Sequence, residues 1–203
     1  MMNEEREQIM MRVRRALAPI QERAALPRYD SEMVVQRAML AGRDRVELLA
    51  ERMQRVNGQL FTDGHALVAH LSAQGWKHGY CDPVLWPALA AHFQGFTVEL
   101  EFDRTRVDDY AFGITRAAGA IAESGTIVLN DTTTSRRLAA LAPWVHVAVV
   151  ERATIFLDVP AAIAGLGPDR NVIWCTGPSK TADVEGILIE GVHGPGVQLA
   201  LVV

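Results

Sequence analysis

Apolar residues in the first third of the chain fall at helical intervals. Ile9, Val13, Leu17 and Ile20 recur at steps of four and three, which places them on one face of a helix over residues 1–20. The chain then breaks at Leu26-Pro27-Arg28. From Ser31, whose hydroxyl suits a helix N-cap, a second stripe runs Val35, Met39, Gly42, Val46, Leu49, Met53, Val56, ending at Asn57-Gly58. This predicts one long helix. Its stripe either lies on the rest of its own protein or forms a seam for a partner, and Gly42 interrupts the seam. Residues 1–60 therefore read as an N-terminal helical extension.

Beyond Phe61-Thr62-Asp63-Gly64 the pattern changes to short apolar runs separated by amphipathic segments. Strands are predicted at 76–81, 96–102, 119–122, 126–130, 146–150, 172–176 and 197–203. Helices are predicted at 63–74, 83–94, 135–141 and 153–165, with one more after Ser179. Strands spaced by helices imply a mostly parallel sheet with helices on both faces, so 61–203 reads as an α/β domain. One connection is too short for a helical crossover. Glu123-Ser124-Gly125 joins two apolar runs as a tight hairpin, which predicts one antiparallel pair inside the sheet.

Composition narrows the function classes. The chain has 203 residues, 49% hydrophobic and 22% charged, enough for one globular domain with an appendage and unlike a disordered chain. A formal charge of −4 gives no basic field for nucleic acid. Cys81 and Cys175 have no partner at metal or redox spacing, so this chain alone offers no cysteine-ligated cluster or structural zinc site. No stretch approaches the ~20 apolar residues that span a bilayer, and the charged start lacks a leader's apolar region. A cytoplasmic location is expected.

Three stretches could carry chemistry. At the hairpin tip, Gly125 permits outward-turned amides beside Ser124 and Thr126, a concavity for an oxyanion with the Glu123 carboxylate adjacent. An ordinary solvated turn is the competing reading. After the strand at 172–176, Gly177-Pro178-Ser179-Lys180-Thr181-Ala182-Asp183 is a hydroxyl-bearing loop at a strand's carboxyl end, where α/β sheets collect ligands. Lys180 is one of only two lysines against eighteen arginines, and a compact ammonium could serve there as a point charge. It too could be a solvated capping turn. Third, Asp183, Glu185, Glu190 and His193 fall within eleven residues bracketed by glycines, Gly194 among them. Their spacing matches no compact metal motif, so no metal is assigned and His193 reads as a hydrogen-bonding residue. His65 and His70, five apart, read as structural, and Trp144 and Trp174 as core.

Taken in order, Ala122-Glu123-Ser124-Gly125-Thr126, Gly177-Pro178-Ser179-Lys180-Thr181-Ala182-Asp183-Val184-Glu185 and Gly191-Val192-His193-Gly194-Pro195 resemble the signature of the LUD-domain family, and within it the lactate-utilisation protein C branch. The resemblance runs from about Ala111 to the last residue, while the leading helices match only in general character. It implies an α/β fold similar to the ribose-phosphate isomerase, glucosamine-phosphate deaminase and CoA-transferase group. It also implies a bacterial cytoplasmic protein acting with two companions that carry iron–sulfur clusters, the set oxidising L-lactate to pyruvate. This chain would be the cluster-free member, binding no cofactor itself. Its residues carry over as motif positions rather than known catalysts.

Two functions follow from that resemblance. One is an accessory subunit that binds a small carboxylate, a phosphate-like anion or a partner protein, and could also self-associate. The other is an acyl-transfer enzyme, because Glu123-Ser124-Gly125 looks like the turn that presents a glutamate acyl acceptor in CoA transferases. No convincing CoA-binding segment accompanies it.

Overall fold

A computed structural model describes residues 2–19, 39–134, 136–167, 171–182 and 188–203. The chain divides into two units, Met1–Val34 and Val35–Val203. In the first, helix α1 (Met2–Leu17) carries Arg14 and Arg15 in its last turn, where cations suit the negative end of the helix dipole.

The second unit begins its described part with a break. The long helix predicted over 31–57 is interrupted at Gly42, which adopts φ +81°, a left-handed conformation that ends helices. Helix α2 (Arg45–Arg55) then restarts at Asp44, whose Oδ1 accepts hydrogen bonds from the amides of Val46 and Glu47 at 2.9 and 3.0 Å. The predicted stripe holds within α2, where Val46, Leu49 and Met53 are buried together with Leu48. It fails before the break: Met39 is exposed and its neighbour Leu40 is buried. Leu48, Leu49 and Met53 are fully buried, each worth roughly 1.5–3 kcal/mol of apolar transfer. So α2, placed by the sequence in the extension, is part of the core of the second unit.

The chain continues through β1 (Gly58–Phe61), α3 (Gly64–Ala73), β2 (His78–Cys81), α4 (Trp86–Leu89), β3 (Thr97–Glu99), β4 (Phe112–Arg116), β5 (Gly119–Ile121) and β6 (Thr126–Asn130). It then forms α5 (Arg137–Leu141), β7 (Val145–Val150), β8 (Ile155–Phe156), α6 (Val159–Gly165) and β9 (Val172–Thr176). The last elements are β10 (Lys180–Ala182), β11 (Leu188–Glu190) and β12 (Val197–Val202). Six strands form one sheet in the order β1-β12-β7-β4-β2-β3, every adjacent pair parallel. The fold is the expected α/β with a mostly parallel sheet.

Alternation along β7 and β12 builds two apolar layers. Ala148, Val150, Ala200 and Val202 pack with α2 and with Ala120, Ile127 and Leu129 of β5 and β6. Val145, Val147, Leu199 and Leu201 point the other way, onto Leu67 and Leu71 of α3 and Leu89 of α4.

The hairpin requires a correction. β5 and β6 are antiparallel as predicted, but they belong to a second sheet ordered β8-β5-β6-β9, in which β6 and β9 are antiparallel as well. The helix expected after Ser179 is instead β10, paired antiparallel with β11. The region expected as one helix over 153–165 holds β8 first, and α6 starts at its Asp158 cap.

Candidate functional site

Two chain reversals bring the motif stretches together. The hairpin tip folds under the end of α2. Gly125 has φ +70°, and a Cβ there would lie 2.6 Å from the Arg52 carbonyl carbon and the Met53 nitrogen. At Gly177, φ +76°, a Cβ would collide with the Val56 carbonyl oxygen. Both glycines are required by close backbone approach as well as by φ. The end of α2 thus clamps the hairpin and the loop after β9 side by side.

Hydrogen bonds complete the convergence. Ser124 Oγ lies 2.7 Å from Thr126 Oγ1, which lies 2.7 Å from Thr176 Oγ1, a chain of three hydroxyls linking the hairpin to the end of β9. The Ser179 amide donates to the Pro195 carbonyl at 2.8 Å, and the Gly191 amide donates to the Ser179 carbonyl at 2.8 Å. These bonds fix the Gly177-Pro178-Ser179 loop against the His193-Gly194-Pro195 loop.

A cavity of about 250 Å³ opens between them. Gly177, Ser179, His193 and Gly194, all singled out from sequence, line it. So do Trp174, Cys175 and Thr176 of β9, and His146 and Gln198 from β7 and β12. His146 and Gln198 are register partners at the amino ends of adjacent strands, and the Gln198 side-chain amide donates to the Cys175 carbonyl at 3.1 Å, bridging the two sheets. The cavity therefore lies at the carboxyl end of β9, as expected, but at the amino ends of the central parallel strands.

Its interior titrates away from neutrality. Burial holds His146 down to about 4 and pushes the Cys175 thiol up to about 11, so both are uncharged at pH 7. His146 Nε2 shares a hydrogen bond of 3.0 Å with Thr115 Oγ1. No lysine or arginine is among the described residues that line the cavity. The arrangement suits a small ligand held by the hydroxyls of Ser179 and Thr176 and the ring of His193 against the Trp174 indole.

The remaining predicted residues have other partners. Glu123 accepts a hydrogen bond from the Val159 amide at 2.8 Å, capping α6, and is not among the residues lining the cavity. Lys180 faces Glu190 across the β10–β11 pair, Nζ 3.4 Å from Oε1. Glu190 also accepts from the Asn57 side-chain amide at 2.8 Å, and that bond foremost, with Lys180 behind it, lowers its pKa from the usual carboxylate value. The charge expected to hold an oxyanion is thus committed to an ion pair. Thr181 pairs with Ile189 on the same ribbon. Asp183 and Glu185 lie outside the described residues. Trp174 and Trp144, expected in the core, are 40% and 48% exposed; Trp174 walls the cavity and Trp144 packs on the glycines of the 191–196 loop.

Among the described residues, no group of three or more His, Cys, Asp and Glu side chains is placed to hold a metal ion. No helix among them is long and apolar enough to cross a membrane.

Comparison with known proteins agrees with the motif stretches. The family model for the LUD domain matches residues 82–203, more than half of the chain. A lactate utilization protein C from Deinococcus radiodurans is 38% identical over 87 residues, 40% of this chain and 41% of that protein. One from Bacillus licheniformis is 36% identical over 98 residues, 44% of this chain and 41% of that protein. The matched stretch thus spans about two fifths of the length of these relatives. A crystal structure of a DUF162 family protein from Deinococcus radiodurans overlaps 68% of this chain and 97% of its own, at 21% identity and a TM-score of 0.44. On the family match over residues 82–203, the chain belongs to the LUD-domain family.

Proposed function

We propose that this chain serves lactate utilisation as the cluster-free component of a bacterial L-lactate oxidation system, and that its cavity binds a small carboxylate. The observation that carries this reading is that two of the three family stretches, Gly177-Pro178-Ser179 and His193-Gly194-Pro195, line one cavity and are pinned to each other by backbone hydrogen bonds. The names of the matched relatives supply the pathway. Hydrogen-bond donors, the Ser179 hydroxyl and His193, would orient the carboxylate, while Trp174 covers its apolar part. With no lysine or arginine among the described residues that line the cavity, such donors would have to offset the cost of burying the carboxylate's charge through charge-assisted hydrogen bonds. Electron transfer falls to companion proteins carrying iron–sulfur clusters, in the cytoplasm, and this chain holds no redox group of its own.

The test is a calorimetric titration of the purified chain with L-lactate and with pyruvate, alongside co-purification with cluster-bearing proteins from the same organism. Saturable binding of either acid, weakened at least tenfold by Ser179→Ala or His193→Ala, supports the reading. Absence of heat with both acids together with failure to co-purify removes both its supports.

A further inference from the structure

Taking the cavity as the site of a small carboxylate, we propose that it selects an acid with an α-hydroxyl over the matching 2-oxo acid, and that Gln198 Oε1 is the atom that accepts from that hydroxyl. Gln198 is 2% exposed and lines the cavity from β12. Its side-chain nitrogen donates to the Cys175 carbonyl at 3.1 Å. A backbone carbonyl only accepts, so this bond sets which end of the amide is which; turned over, two oxygens would face each other. Oε1 is thereby held in place, buried and without a hydrogen-bond partner among the described residues. Its register neighbour His146 is engaged with Thr115 at 3.0 Å. An acceptor buried and left unpaired costs free energy, which a donor arriving with the ligand recovers.

The chemistry of the lining separates the ligand groups that reach this acceptor. The α-hydroxyl of a 2-hydroxy acid donates. The ketone oxygen of a 2-oxo acid accepts only, so Oε1 stays unpaired and faces a second oxygen. The ammonium of an α-amino acid donates, but it brings a positive charge to a cavity whose described lining holds no aspartate or glutamate. A neutral hydroxyl is the donor that fits. With Ser179 and His193 on the carboxylate, the two ends of the acid are then recognised by different elements, the loops at one end and β12 at the other. A site built to bond a hydroxyl rejects the analogue that lacks it, because the site's own polar group is left unpaired.

Calorimetric titration of the full chain with L-lactate, pyruvate, 2-fluoropropionate and L-alanine tests this. Fluorine keeps nearly the size of the hydroxyl and cannot donate. L-lactate is expected to bind at least about tenfold more tightly than each of the other three. A smaller preference over any of them overturns the assignment of Gln198 Oε1 to a hydroxyl while the carboxylate site stands. Heat from none of the four overturns the assignment and the carboxylate site together. Gln198→Met, checked for folding by circular dichroism, should bring L-lactate affinity down to that of pyruvate and leave pyruvate within about twofold of its wild-type value. Equal losses for both acids would make Gln198 only a brace for β9 and overturn the proposal; if the variant does not fold, the four wild-type affinities decide it.

Discussion

Thr126 Oγ1 and Thr176 Oγ1 lie 2.7 Å apart across the antiparallel β6–β9 pair, where the two residues are register partners. That contact joins the hairpin to the loop that lines the cavity, so the hairpin supports the site from behind. Gly125 and Thr126 are buried, and the end of α2 covers the tip.

Gly125→Val should therefore be among the most damaging single changes. It demands a left-handed backbone of a β-branched residue and drives a side chain into the backbone of Arg52 and Met53. A loss of about 3 kcal/mol or more is expected in urea unfolding. Gly75→Ala, also at positive φ but with open space around its Cβ position, should cost about 1 kcal/mol.

Glu123→Gln weakens a helix cap. Its carboxylate accepts from Val159 at the positive end of α6, so about 1 kcal/mol of stability should go, read as a fall of roughly 2–4 °C in melting temperature. Carboxylate binding in the cavity should be unchanged. Acyl label trapped on Glu123 after incubation with acyl-CoA would contradict this structural role.

Lys180→Ala should change stability by no more than about 1 kcal/mol, as expected for a partly exposed ion pair, and should leave L-lactate affinity within about twofold. A tenfold loss of affinity would show that Lys180 leaves Glu190 to meet the ligand.

The buried histidine predicts a pH dependence. His146 is held down to about 4 in the folded protein from an ordinary 6.5, so below pH 6.5 the unfolded chain takes up a proton that the folded chain refuses. Stability from this group is complete above pH 6.5 and declines as pH falls toward 4, by at most about 1.4 kcal/mol per pH unit. In urea unfolding at pH 7, 6 and 5, His146→Gln should fall less steeply than wild type. Parallel profiles would show that His146 protonates without penalty.

The family stretches were readable because glycine, proline and hydroxyl residues cluster there for backbone reasons that a single sequence displays. The strands β5, β6, β9 and β12 were readable as apolar runs between turns. Strands β1, β4 and β8 were not: Gly58-Gln59-Leu60-Phe61 and Phe112-Gly113-Ile114-Thr115-Arg116 interrupt their apolar residues with glycine and polar ones, and β8 has only two residues. Helix α2 was visible as a helix, but its role as the lid over Gly125 and Gly177 depends on contacts across more than seventy residues. His146 and Gln198 carry a signal in the sequence itself. Val145-His146-Val147-Ala148 and Val197-Gln198-Leu199-Ala200 each put one polar residue second in an otherwise apolar buried strand, which is costly unless the polar group has a partner. For Lys180 the sequence displays its rarity but not its register, which places it opposite Glu190.

A crystal of the chain soaked in L-lactate tests the account at its centre. Density for the acid between Ser179 and His193, with its apolar end against Trp174, is the predicted result. Density at another surface, or an unchanged cavity at saturating lactate, would contradict it.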